Sequence, residues 1–155
     1  MINFVLTILS IALTAAVLYA SVTYLAPGRP VITLTYNLAT QGFPSLGTAF
    51  SDFKSANGGV APAVSTWETQ LTPTYTFLPA APKGMSWSYG TDGTGYWFCL
   101  SGSVSQPQYD GLAQAAQVFS VQQYFIGSTC GITANAAAPA TWPATLAATY
   151  WVTAP

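Results

Sequence analysis

The sequence predicts an α+β fold. A long hydrophobic N-terminal helix over residues 1–26 precedes a small β-rich head domain over residues 27–155, with one or two short helices and one disulfide. Three observations lead there. From Met1 to Ala26 there is no charged residue, Gly or Pro until Pro27-Gly28 interrupts the run. Beyond it, Pro and Gly cut the chain into short segments rich in β-branched and aromatic residues. The two cysteines, Cys99 and Cys130, form an even pair, which in an exported domain reads as a disulfide.

As a helix, the first segment spans roughly 39 Å at 1.5 Å per residue, enough to cross a hydrocarbon layer of about 30 Å. It carries no Lys or Arg and is longer than the apolar core of a secretory signal peptide, so it reads as an anchor. Five of its polar residues, Asn3, Thr7, Ser10, Thr14 and Ser21, fall within about 60° of one another on a helical wheel. Ala12, Ala16 and Ala20 form a small-xxx-small ridge roughly opposite, where a neighbouring backbone can approach closely. Two opposed packing faces suit a helix surrounded by other helices. The competing reading is that the hydroxyls only bond back to carbonyls one turn earlier, as any lipid-facing helix tolerates.

After Pro27-Gly28-Arg29-Pro30, VITLTYNL (31–38) alternates β-branched residues and predicts a strand, with a continued helix as the alternative. Ser45–Asn57 predicts a short helix burying Leu46, Phe50 and Phe53 and closed by Gly58-Gly59. Between Gly59 and Lys83 four prolines predict a loop-rich wrap, with TPTYTFL as its best strand. MSWSY and YWFCLSGSV, separated by a Gly-rich turn, predict a β-hairpin. Leu112, Ala115, Ala116, Phe119 and Gln123 predict a helix over Gln108–Gly127, with Asp110 near its N-terminus. LAATYWVTA predicts a last strand closing a sheet edge.

Charge excludes several functions. Only Arg29, Lys54, Lys83, Asp52, Glu68, Asp92 and Asp110 are charged, and the net charge is −1. Soluble domains average roughly 25% charged residues. A surface with so little repulsion favours self-association, so a homo-oligomer is expected. Three dispersed basic residues make no phosphate-binding patch, so no nucleic-acid partner is expected. Histidine is absent, which removes the usual general base and the commonest nitrogen ligand for transition metals.

An apolar segment with no basic flank before it resembles the N-terminus of mature type IV pilins. Phe98-Cys99-Leu100-Ser101-Gly102 and Thr129-Cys130-Gly131 resemble the cysteine-flanked C-terminal region of the type IVb class, including thin conjugative pili. The resemblance implies that Met1 is a processed terminus. It further implies that the chain sits in the inner membrane until pilus assembly machinery builds it into an extracellular helical filament with the N-terminal helices at its core. One departure stands out: Val5 occupies the position where most major pilins carry a Glu that pairs with a neighbour's amino terminus. Val5 points to a minor or tip pilin, an adhesin, or a divergent filament. A plain membrane-anchored extracytoplasmic domain, or a viral coat protein with Met1 as initiator, is the remaining alternative.

No catalytic, cofactor or metal site is expected. Nothing in the spacing of Asp52, Glu68, Asp92 and Asp110 requires convergence. Asp92-Gly93-Thr94-Gly95 looks like a calcium turn but has one local carboxylate, so it reads as a plain turn. The aromatics Trp87, Tyr89, Tyr96 and Trp97 read as core plus subunit interface, with a partner- or glycan-binding patch as the alternative.

Overall fold

A computed structural model describes residue 11, residues 13–14 and residues 28–153. The chain divides into two compact units, Met1–Pro30 and Val31–Pro155. In the first, Ile11, Leu13 and Thr14 are helical and exposed. The rest of the expected helix over 1–26 lies outside the described residues, and no helix among the described residues is long and apolar enough to cross a membrane.

The second unit holds α1 (Arg29–Ala56, whose first two residues precede the unit), α2 (Trp67–Leu71), β1 (Met85–Thr91), β2 (Tyr96–Val104), α3 (Gln106–Ala115), β3 (Tyr124–Gly127) and β4 (Ala144–Trp151). The four strands form one antiparallel sheet in the order β1-β2-β4-β3. The architecture is α+β, but helix outweighs strand, so "β-rich" understates the helical share.

The largest difference from expectation is α1. Residues 31–38 are helical, and the predicted 45–57 helix is the C-terminal half of one 28-residue helix. Thr35, Ala39, Phe43, Leu46 and Phe50 recur every three or four residues and are all buried. That stripe against the sheet overrides a β-propensity confined to six residues. Pro44 sits inside the helix and withholds one backbone N–H. The Gly58-Gly59 stop is as expected: both glycines have positive φ, and Gly59 N–H donates to the Lys54 carbonyl at 2.8 Å.

One face of the sheet forms the main core. Phe43 meets Trp87, Tyr124 and Tyr150 with ring centroids 4.9, 5.6 and 5.5 Å apart. Phe50 covers Tyr89 and Tyr96, and Trp67 of α2 closes over Tyr89 and Phe98. Helix α3 reaches α1 through Gly111, where an added Cβ would lie 2.6 Å from the Ile32 carbonyl oxygen. This helix starts earlier and ends sooner than expected, which places Asp110 in its middle. Gln108 Oε1 accepts the Ser105 N–H at 2.8 Å, fastening its N-terminus. Tyr124, Phe125 and Ile126, read as the helix's end, pair instead with β4. There Tyr124 reaches the core while its hydroxyl donates to the Leu112 carbonyl at 3.2 Å.

The other face is crossed by a strap, residues 128–143, whose far end reaches α3, where Trp142 packs on Tyr109 with ring centroids 5.3 Å apart. Gly131 lies against the Trp97 indole, and Ile132 Cδ1 fills the space beside Gly127. Trp151 Nε1 donates to the Ile132 carbonyl at 2.9 Å. Asn135 Oδ1 accepts from Ile126 N at 2.8 Å, and Ala136 N donates to the Ile126 carbonyl. With those bonds the strap also occupies the outer edge of β3. The last strand, expected at a sheet edge, lies inside the sheet between β2 and β3.

Candidate functional site

Of the residues expected to pack the N-terminal helix, Asn3, Thr7, Ser10, Ala12, Ala16 and Ala20, and the terminus Met1, lie outside the described residues. Thr14 is described and exposed.

The disulfide joins Cys99, central in β2, to Cys130 in the strap, with Cα atoms 5.7 Å apart. Cys99 is fully buried on the strap side of the sheet. Ser88 from β1 and Thr149 from β4 flank the sulfurs, with hydroxyls 3.6 and 3.9 Å away.

The four aromatics expected at an interface do not gather into one exposed patch. Trp87, Tyr89 and Tyr96 face the helices, where Tyr89 and Tyr96 stack at 6.0 Å. Trp97 faces the strap, its ring lying over Gly90 as well as Gly131. Trp87 further donates its Nε1–H to the Pro79 carbonyl at 2.8 Å. The alternation along the hairpin already assigns Trp97 to the opposite face from its three companions.

Asp92 is consumed by its own turn. Its Oδ1 accepts from Thr94 N, Thr94 Oγ1 and Gly95 N at 2.9, 2.8 and 2.8 Å. These donors, Gly95 N–H first, hold its carboxyl below the usual range. Among the described residues no group of three or more His, Cys, Asp or Glu could hold a metal ion. Burial raises the hydroxyl pKa of Tyr89, with the Tyr96 hydroxyl adding to it, and burial alone raises those of Tyr124 and Tyr150.

The surface that sequence reasoning missed runs along the outside of α1. From Pro30 to Ser51 the helix carries no charge, and neither does the chain from Thr69 to Pro82. Val31, Leu34 and Leu38 follow helical spacing on the outward side, and Leu34 is 57% exposed. Residues 76–80 run alongside, and a groove of about 460 Å³ lies between them and Leu38, Gln41 and Ser45. The strand that the sequence predicts over TPTYTFL (72–78), which overlaps this segment, joins no sheet. The segment is pinned at both ends: Ser45 Oγ and Thr76 Oγ1 are 2.9 Å apart, and Pro79 accepts the Trp87 bond. Between the pins Phe77 stands 81% exposed, with Leu78 beside it. Among the described residues Phe77 is the one aromatic side chain left largely in solvent. The signal in sequence was the uncharged run itself, which reads equally well as core.

No protein-family model, curated protein or solved structure matches this chain. The chemistry of the surface must therefore carry the reading. An uncharged, half-apolar helix face beside a pinned apolar ridge offers contact area.

Proposed function

We propose that the chain is a structural subunit of an extracellular type IV pilus-like filament, assembled by packing of the N-terminal hydrophobic segments and carrying the disulfide-closed head outside. The observation that carries this reading is the uncharged apolar segment 1–26 followed directly by a domain with only seven charges. Burial from water at about 25 cal/mol per Å² drives the segment into the membrane, and close packing of its small-residue ridge against neighbouring helices then favours assembly. The head supports the reading in two ways. Its outward α1 face is uncharged over more than five turns, so copies meet without charge repulsion. Its strap is covalently tied to the sheet, as an extracellular domain with a modest core requires. The subunit acts as a building unit, and no catalytic role is assigned to it.

Val5 favours one second reading, a minor or tip-located pilin, because a subunit without the pairing carboxylate lacks a registering contact. Electron microscopy of purified native material tests the first reading. Fibres with this chain along the shaft are the expected result, and detergent-dispersed monomers without fibres overturn it. Substoichiometric amounts in sheared fibres would select the tip reading instead.

A further inference from the structure

We infer that the ridge at Phe77 is a docking knob for a second copy of this chain, received by the groove that lies between α1 and residues 76–80. The inference rests on the filament reading and names the head surface through which copies meet.

Phe77 exposes nearly its whole ring, although its backbone is not loose. The Ser45–Thr76 hydroxyl contact and the Trp87 bond to Pro79 hold the segment on either side. A large apolar side chain on a pinned backbone loses little conformational freedom on docking, which is the condition under which one aromatic contributes most. It could have packed inward, as Tyr75 does against Phe53 at 5.6 Å, but it does not.

The groove is about 460 Å³, roomy enough for an aromatic ring, with Leu38, Gln41 and Ser45 along one wall and Phe77 itself, with Leu78 and Pro79, along the other. Knob and hole therefore sit on one face of one chain. A surface that carries both can meet a copy of itself, either reciprocally about a two-fold axis or head to tail along a helix. Charge points to the same occupant. No charged residue falls between Arg29 and Asp52 or between Glu68 and Lys83, so two copies of this face approach without repulsion. A charged partner would find only Lys83, beside Val31 and Leu34, to pair with and would lose hydration over the rest of the face. One ring in one groove falls well short of the roughly 1,200 Å² that a stable interface buries, so isolated heads stay apart. The contact becomes effective where the N-terminal segments already hold the copies together at high local concentration.

The test uses the full-length chain. An affinity-tagged Gln41→Cys chain is mixed in detergent with an untagged Leu78→Cys chain, which keeps the Phe77 ring, then assembled and oxidised. A disulfide joining tagged to untagged chain is the expected result, with none when Ser55→Cys replaces Gln41→Cys. Separately, Phe77→Asp should lower the yield of assembled material about tenfold or more while leaving the thermal melt of the head unchanged. Absence of the cross-link together with undiminished assembly of Phe77→Asp overturns the inference and leaves the filament reading intact. A cross-link in material that shows no fibres keeps the contact and overturns the filament reading. No cross-link and no fibres overturns both.

Discussion

Two buried tyrosines on one core face do opposite things for the fold. Tyr124 is almost wholly buried and its hydroxyl donates to the Leu112 carbonyl, so Tyr124→Phe leaves that acceptor bare and should cost about 1 kcal/mol in urea unfolding. Tyr89 is 4% exposed and, among the described residues, its hydroxyl has no hydrogen-bond partner. Tyr89→Phe removes an unsatisfied polar atom and should be neutral or stabilising by up to about 1 kcal/mol, and a loss of stability would show that the hydroxyl is solvated. Both hydroxyls have pKa values raised by burial above the ordinary tyrosine value of about 10. The folded state thus keeps protons that the unfolded chain releases. This contribution is complete below pH ~10 and is lost as pH rises above it, so the urea midpoint should fall in the alkaline range. That fall should be shallower in either Phe variant. Asp92 has the opposite sign: its depressed pKa gives a contribution present above pH ~4 and lost as pH falls through the folded value. Because its carboxylate is exposed, Asp92→Ala should shift the midpoint only modestly near neutrality, and not at all in acid.

At the scale of elements, the hairpin was fully legible, because Tyr and Trp alternation and a Gly-rich turn act within twenty residues. The C-terminal strand was legible too, but its place in the sheet was not, since strand order follows from long-range pairing with β2 and β3. The strand expected at 31–38 failed for a related reason. Over six residues Val31, Ile32, Thr33 and Thr35 favour a strand, and only a window reaching Phe50 reveals the helical period. Over 108–127 the helical period continued into residues that β4 recruits, so the helix appeared about twice its real length. The exposed ridge at Phe77 was not legible because TPTYTFL reads as a strand, and which of its side chains stay exposed is set by tertiary packing. Gly111 marks where α1 and α3 cross, and its missing Cβ is needed there: a methyl group would press on the Ile32 carbonyl and on Thr35 Cβ at 2.8 Å. Backbone cannot rotate aside as a side chain can, so Gly111→Ala should destabilise the head by about 1–3 kcal/mol. Urea unfolding followed by tyrosine and tryptophan emission measures it, and an unchanged midpoint would show that the helices separate freely.

Across the whole molecule, the sheet separates two different kinds of packing. On one side α1 and α2 pack aromatic rings against the sheet, with α3 joined to α1 through Gly111; on the other a strap with little regular structure of its own is seated by discrete attachments. The Cys99–Cys130 link closes a loop of 31 residues, for which chain entropy gives about 3.7 kcal/mol. Four further bonds hold the strap without it: Trp151 to Ile132, Ile126 to Asn135, Ala136 to Ile126, and Gly131 N to Thr149 Oγ1 at 3.1 Å. Cys130→Ala with Cys99→Ala should therefore lower stability by about 3.7 kcal/mol without releasing the strap in native buffer. Trp97 and Trp151 report on this directly, since both lie on the strap side of the sheet. Their emission in the double variant should match the wild type before unfolding and shift to the red in a single transition, coincident with loss of the far-ultraviolet circular dichroism signal. An early red shift at low urea, ahead of that loss, would mean that the disulfide alone keeps the strap in place, and that without it the second face of the sheet opens to solvent while the helical face stays folded.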